Sequence, residues 1–119
     1  MFFHGTHKDL IASIEAIGAA FAVFEFRHEK NTFNLISCNS QYEEIVGKSK
    51  AEVLNRALKT IFPRYISKPL IDAFRQCNSE QIAMETEIFV DYKAVERYWR
   101  SIISPVINQV NDQVRIKPT

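Results

Sequence analysis

The stretch Asn39-Ser40-Gln41-Tyr42-Glu43-Glu44-Ile45-Val46-Gly47 is the most informative part of the sequence, because it carries both the start and the end of one short helix. Asn39 is a favourable N-cap, since its side chain can accept a hydrogen bond from a backbone N–H of the first helical turn. Gly47 can take the left-handed conformation in which helices commonly end. The larger apolar side chains between the caps share one helix face: Tyr42, Ile45 and Val46. The sequence therefore predicts a short helix whose inner face is buried.

The residues before this helix predict a β-hairpin. Residues 20–26 are too few and too aromatic for a typical helix, and they are followed by the polar stretch 28–32 and a second apolar run, 33–38. Two such runs joined by a polar connection are typical of two paired strands.

Short helical segments and one long helix are predicted next. Ser49 and Glu52 have the spacing of a capping box and indicate a helix over residues 49–56. A turn follows over residues 58–62. The longest helix is indicated by apolar residues at intervals of four, four and three: Ile66, Leu70, Phe74 and Cys77. Pro69 falls where a first helical turn tolerates proline.

The last third of the chain predicts three strands. Between residues 82 and 92 the even positions are largely apolar and the odd ones include acidic residues, which is the pattern of a strand with one wet face. Residues 95–108 predict a second long strand. Asn111 to Gln113 predicts a polar turn, and residues 114–116 predict a last strand. Two strands, several helices and three strands predict an α+β fold in which a five-stranded antiparallel sheet carries the helices on one face.

The segment from Asn39 to Gly47 resembles the signature of PAS sensory domains, in which an Asn closes the second strand and is followed by an aromatic residue, an aliphatic residue and a Gly at these spacings. Ser49 to Leu54 and Leu58 to Pro63 are similar to the short helices of the family. Asn55 stands where family members often carry Gly, and Asn also tolerates the left-handed region.

The closing strands extend this resemblance. Tyr98-Trp99-Arg100 and Ser104-Pro105-Val106-Ile107 are similar to the penultimate strand of the family, and Asn111-Asp112-Gln113 resembles the turn before its last strand. The Asp-Ile-Thr type ending that follows the last strand in the family is missing after Ile116. We therefore expect a PAS sensory domain over residues 19–119, truncated after its last strand.

Composition and charge exclude several classes of partner. The chain has 119 residues, enough for one domain, and its 15 Lys and Arg balance 14 Asp and Glu. No basic stripe is present, so we expect neither nucleic-acid binding nor membrane contact. Cys38 and Cys77 are far apart and are expected to be reduced, buried thiols of a cytoplasmic protein. The longest near-apolar run, residues 17–24, is too short to span a bilayer.

The sequence does not predict a binding site for haem, flavin or a metal ion. By resemblance, a flavin photosensor of this fold would need a reactive Cys within a G-x-N-C-R-F-L-Q-like helix, and the chain has no such run. Haem would need an axial ligand such as His on the long helix, whereas His4, His7 and His28 precede the long helix by many residues. No His, Cys or carboxylate cluster indicates a metal site.

By resemblance, the ligand cavity of such a domain lies between sheet and helices, and seven residues are candidates to bind a small apolar ligand there: Asn39, Tyr42, Phe62, Tyr65, Phe74, Trp99 and Ser101. Tyr65, Trp99 and Ser101 would supply polar anchors. The alternative is that these side chains fill a closed core. Glu25 is either a base with a raised pKa or, as we favour, a residue of the exposed sheet face.

Residues 1–18 predict an N-terminal amphipathic helix, capped by Thr6 and ended by Gly18. Its apolar stripe consists of Leu10, Ile14 and Ile17. A lone terminal helix must bury such a stripe, so it either packs across the two-fold axis of a homodimer or folds back onto its own sheet.

These features predict a signal-sensing and dimerisation module rather than a self-contained enzyme. By resemblance, the module would regulate a C-terminal output domain of a bacterial-type signalling protein: a diguanylate cyclase, a histidine kinase or a transcription regulator. One alternative is a small α+β isomerase-like enzyme with Glu25 or Asp91 as base and Tyr65 or Tyr98 as donor. The other is a ligand-free protein-interaction module.

Overall fold

The computed structural model describes residues 20–92, 95–106 and 109–118, which form an antiparallel five-stranded sheet with helices packed on one face. The strands are β1 (Ala20–Arg27), β2 (Thr32–Cys38), β3 (Met84–Tyr92), β4 (Val95–Val106) and β5 (Gln109–Pro118). The helices are α1 (Ser40–Val46), α2 (Lys50–Val53), α3 (Leu58–Ile61) and α4 (Arg64–Glu80). The predicted fold class is confirmed, and the N-terminal helix predicted over residues 1–18 lies outside the described residues.

The strand order places the last strand of the chain at the centre of the sheet. The order is β2-β1-β5-β4-β3, so β5 pairs with β1 on one side and with β4 on the other. We call the sheet face that carries the helices the inner face and the opposite one the outer face. A residue of β5 that points to the inner face therefore lies at the middle of the core.

The predicted hairpin is confirmed. β1 and β2 pair antiparallel from Ala22 opposite Cys38 to Arg27 opposite Thr32. In the connection, Asn31 has a φ of 52°, a left-handed conformation that Asn tolerates better than most residues. The alternation along β1 turns Ala22 and Phe24 to the inner face, where both are fully buried.

Both predicted caps of α1 are confirmed. The Asn39 side chain accepts a hydrogen bond from the backbone N–H of Tyr42, and Gly47 has a φ of 75°. Tyr42 and Val46 are fully buried, so this short helix packs one face on the sheet as expected.

The helix predicted over residues 49–56 is shorter in the structure. The Glu52 side chain accepts a hydrogen bond from the backbone N–H of Ser49, as in a capping box, but α2 ends at Val53. It ends there because Leu54 is extended and Asn55 is left-handed, with a φ of 64°. Asn55 therefore does what the expected glycine would do.

The long helix begins earlier than its apolar pattern indicated. Pro63 occupies the N-cap position of α4, so Pro69 lies inside the helix and not in its first turn. Proline has no N–H to donate within a helix, and α4 nevertheless continues through this position. The predicted inner stripe is confirmed, since its four members are all buried: Ile66, Leu70, Phe74 and Cys77.

The turn predicted at Asn111 to Gln113 is wrong. These three residues lie within β5, where Asp112 is paired with Ala22 of β1 and with Ile103 of β4. The polar triplet continues a strand because Val110 and Val114, two positions to either side of Asp112, both point into the core. β4 instead ends at Val106 and β5 begins at Gln109.

The first of the closing strands follows its predicted alternation. Ile88 and Val90 of β3 are buried on the inner face, whereas Glu85, Glu87 and Phe89 are exposed on the outer face. The strand starts at Met84, two residues after the predicted start.

Candidate functional site

The interior between sheet and helices contains a chain of contacting aromatic rings. The ring of Phe62, which follows α3, is 5.4 Å from that of Trp99 on β4 and 6.3 Å from that of Tyr42 on α1. Tyr42 in turn lies 6.4 Å from Phe24 on β1, and Phe24 lies 5.1 Å from Phe74 on α4. These centroid distances are those of packed edge-to-face and tilted pairs. Of the seven predicted lining residues, six are brought together in this interior: Asn39, Tyr42, Phe62, Phe74, Trp99 and Ser101.

Tyr65 does not join the other six. It is 48% exposed, although it directly precedes the fully buried Ile66. Successive helical residues are separated by about 100°, so a position next to the inner stripe of α4 faces away from the sheet. Tyr65 is therefore not an anchor of an interior site.

Asn39 joins the hairpin to α1 through a single side-chain oxygen. Its Oδ1 accepts from the backbone N–H of Phe21 on β1 at 3.0 Å and from that of Tyr42 at 3.1 Å. The Asn39 backbone N–H also donates to the carbonyl of Phe21 at 3.0 Å. Asn39 is fully buried, so the position of α1 on the sheet depends on this residue.

Three polar side chains meet in the apolar interior, and we refer to Tyr42, Ser101 and Asp112 as the polar cluster. The Tyr42 hydroxyl donates to Oδ2 of Asp112 over 3.3 Å, and both residues are fully buried. Ser101, on β4, is 1% exposed. Within the described part of the chain, neither Ser101 Oγ nor Asp112 Oδ1 has a hydrogen-bond partner. Buried polar atoms of this kind are uncommon in proteins and call for an explanation.

Burial changes the acidity of the cluster. Desolvation raises the pKa of Asp112 from 3.8 to about 7, an effect that the neighbouring Ser101 and Tyr42 hydroxyls partly offset. The pKa of Tyr42 is also raised, first by burial and then by the negative charge of Asp112. The phenol therefore stays protonated and remains a donor, while Asp112 exchanges its proton near neutral pH.

Tyr42 and Ser101 are among the predicted lining residues, whereas Asp112 falls in the turn predicted over Asn111 to Gln113. A usable signal was present in the alternation of Val110, Asp112 and Val114, which places the carboxyl among inward-facing residues.

The residues predicted for alternative chemistry are not brought together. Glu25 forms an ion pair with Arg27 at 2.9 Å, and each side chain is 35% exposed, in keeping with the favoured position on the outer face. Tyr98 is 42% exposed on the outer face next to Phe89. The side chain of Asp91 lies outside the described ones.

The cysteines and the described histidine do not resemble cofactor ligands. Cys38 and Cys77 are both buried thiols, as predicted, and burial raises the pKa of the Cys77 thiol. His28 is exposed in the hairpin connection, where its ring contacts Phe26. Among residues 20–92, 95–106 and 109–118, no three metal-ligating side chains cluster, and no helix has the length and apolarity needed to cross a membrane.

A separate cleft of about 260 Å³ opens on the surface between the hairpin, α3 and α4. Its apolar floor is formed by Phe33, Leu58 and Ile71, and Lys30, Lys59 and Arg75 stand around it. It shares no residue with the predicted lining or with the polar cluster.

The sheet order, the short helices and the single long helix define a PAS fold, and comparison with solved structures supports this class. The PAS domain of the fruit-fly ELK potassium channel superposes with a TM-score of 0.65 at 14% identity, over 93% of this chain and 97% of that one. The LOV domain of the blue-light activated histidine kinase EL346 from Erythrobacter litoralis superposes with a TM-score of 0.61 at 14% identity, over 86% of this chain and 98% of that one.

A third similar structure is the photoactive yellow protein domain of the sensor histidine kinase Ppr from Rhodospirillum centenum. It gives a TM-score of 0.65 at 12% identity, over 88% of this chain and 91% of that one. No family model and no curated protein matches the sequence. At these identities the likeness concerns the fold.

Proposed function

We propose that this chain is a cytoplasmic signal-sensing domain of a bacterial-type signalling protein, and that its homodimer regulates a C-terminal diguanylate cyclase, histidine kinase or transcription regulator. Two of the similar structures belong to histidine kinases. Fold alone does not determine activity, so the argument for sensing must come from the site.

The observation that carries the proposal is the polar cluster. It lies where α1 meets the central strand β5, and its carboxyl is buried without an ion-pair partner in the described part of the chain. A change in the charge or hydrogen bonding of Asp112 therefore acts on the contact between helix and sheet. This is the kind of local event that biases a domain between two arrangements.

The same geometry argues against the isomerase-like alternative. The acid and donor that are paired in the described structure are Asp112 and Tyr42, and both are fully buried. A general base must come within hydrogen-bond reach of its substrate, which this pair does not offer. The ligand-free interaction module remains the nearer rival, because the aromatic rings around the cluster are packed against one another.

We propose that sensing requires neither haem nor flavin. In support, His28 faces solvent and Cys77 is a buried thiol with a raised pKa, so neither is placed as an axial ligand or as a reactive thiolate. A small apolar ligand beside Trp99 and Phe62 is the remaining possibility for a bound molecule.

Native mass spectrometry of the freshly purified chain tests this part. A species heavier than 13.8 kDa per chain would identify a bound small molecule, and a visible absorbance band would contradict the absence of haem and flavin. Trp99 is the only tryptophan, so its emission reports whether the interior responds to conditions at all. If the chain shows neither a bound molecule nor a change in Trp99 emission, only the ligand-free interaction module is left.

Dimerisation through the N-terminal segment is the second part of the proposal. On the outer face Phe89 and Tyr98 form an exposed aromatic pair with ring centroids 5.3 Å apart, an apolar surface available to a second copy of the chain. The stripe Leu10, Ile14 and Ile17 is the apolar surface of this chain that we assign to the dimer contact.

Replacing Ile14 with Asp is expected to convert the dimer to a monomer in light scattering, because a carboxylate would replace an apolar residue in the centre of the contact. Ala12→Asp, which adds the same charge about 160° from Ile14 around the predicted helix, serves as the control and is expected to stay dimeric. An unchanged assembly state of Ile14→Asp would contradict the proposed dimer.

A further inference from the structure

Asp112 occupies the least favourable place for a charge in this fold. It lies on the central strand between Ala22 of β1 and Ile103 of β4, and all three residues are fully buried. A carboxylate that is buried without a cation is strongly destabilised. The described ion pairs all lie elsewhere: Arg27 with Glu25, Lys68 with Asp72 and Arg100 with Glu85.

The elements packed around Asp112 present neutral groups to the interior. α1 contributes Tyr42 and β4 contributes Ser101, while α4 turns an uncharged face inward: Ile66, Ser67, Leu70, Ala73, Phe74 and Cys77. The charged residues of α4 are all exposed: Arg64, Lys68, Asp72, Arg75 and Glu80. A further titratable neighbour is Cys38, whose influence falls on the Tyr42 phenol. The described groups that oppose a negative charge on Asp112 are the neutral hydroxyls of Tyr42 and Ser101, which offset its desolvation only in part.

The hydrogen bonding of the polar cluster is incomplete, and a proton bound to Asp112 would complete part of it. The 3.3 Å contact from Tyr42 to Oδ2 is long for a hydroxyl donor, and a bond to a carboxylate is usually much shorter. Oδ1 and Ser101 Oγ have no partner in the described part of the chain. A proton on Oδ1 removes the charge and adds a donor beside an oxygen that can accept it.

We propose that the signal read by this domain is a proton bound at Asp112, and that its release to solvent loosens the packing of α1, which Tyr42 attaches to that carboxyl. This inference rests on the proposed sensory function and names the input of the same site. With the proton bound, the interior is neutral and closed. Once the proton leaves, the carboxylate requires hydration, and water can reach it when α1 separates from β5.

Two features make this site suitable as a switch. Desolvation brings the pKa of Asp112 to about 7, within the range of ordinary cellular pH. The helix that moves is also short and held at its start by Asn39, whose side chain binds the backbone of β1. A shift of α1 is therefore transmitted to the sheet.

The experiment is an NMR titration of the wild-type chain from pH 5 to 9. We follow the ¹³C resonance of the Asp112 carboxyl and the hydrogen-exchange protection of amides in α1 and α4, corrected for intrinsic exchange rates. The carboxyl is expected to titrate with a midpoint at about pH 7. Protection in α1 is expected to fall about tenfold across the same midpoint while α4 is unchanged.

Two variants distinguish proton binding at Asp112 from the response of α1 to it. Asp112→Asn keeps the site neutral, so α1 should stay protected up to pH 9. Tyr42→Phe removes the donor that favours the charged form, so the Asp112 midpoint should rise while α1 protection no longer follows it. Asp72→Asn, an exposed carboxyl on α4 paired with Lys68, is the matched control and should behave as wild type.

The inference would be overturned if the Asp112 carboxyl titrated below pH 5. It would also be overturned if the hydrogen-exchange protection of α1 did not change as Asp112 titrates. A bound small molecule in native mass spectrometry would then preserve the sensory function with a different input. If the chain shows neither a bound molecule nor a response of α1 or Trp99, the sensory function fails as well.

Discussion

Replacing Asp112 with asparagine is expected to raise the free energy of unfolding at pH 8 by up to about 4 kcal/mol and to leave it nearly unchanged at pH 4. The pKa of Asp112 is about 7 in the folded chain against an ordinary value of 3.8, and one pKa unit corresponds to about 1.4 kcal/mol. Because the folded-state pKa is the higher one, the folded chain holds the proton more tightly. This contribution is fully present below pH 3.8, decreases as the pH rises and is lost above about pH 7.

Urea denaturation at intervals between pH 4 and 8 measures this effect. The stability difference between wild type and Asp112→Asn should grow by about 1.4 kcal/mol per pH unit through the window between the two pKa values. Asp72→Asn alters an exposed carboxyl that is 59% accessible and should keep the wild-type dependence. Parallel stability curves for wild type and Asp112→Asn would show that the carboxyl is not protonated on folding.

Replacing Asn39 with alanine is expected to lower the free energy of unfolding by about 2–6 kcal/mol. The substitution removes one oxygen that satisfies two buried backbone donors, the N–H groups of Phe21 and Tyr42. Each buried donor left without a partner costs about 1–3 kcal/mol, because it gave up water to enter the interior.

Ser49→Ala provides the comparison, since Ser49 begins α2 in an exposed position. Water can satisfy the N–H groups there, so the loss should be at most about 1 kcal/mol. Equal losses at the two positions, measured by urea denaturation at one pH, would mean that Asn39 acts only as a helix cap and does not join α1 to β1.

The parts of the fold that the sequence predicts well are those with local causes. Asn39 and Gly47 cap α1 by contacts within a few residues, and Asn55 takes the left-handed conformation by its own steric preference. The stripe on α4 follows from helical period alone. Such features depend little on the rest of the chain, so their patterns remain visible in a single sequence.

The parts that were missed depend on distant partners. Asn111 to Gln113 is as polar as a turn, but pairing with both β1 and β4 makes it part of a strand. Asp112 was overlooked for the same reason. Tyr65 is a different case, because helical period alone places Ile66, and not Tyr65, on the buried stripe of α4.

The pairing of β1 with the central strand β5 brings the start of β1 next to the second half of β5. Ala20 lies opposite Val114 in adjacent antiparallel strands, whose spacing is about 4.8 Å. Polypeptide entering along β1 and polypeptide leaving along β5 therefore run beside each other. Asp112 is only two residues from Val114 along β5 and is paired with Ala22, so a displacement at the start of β1 would act directly on the strand pair that holds the buried carboxyl.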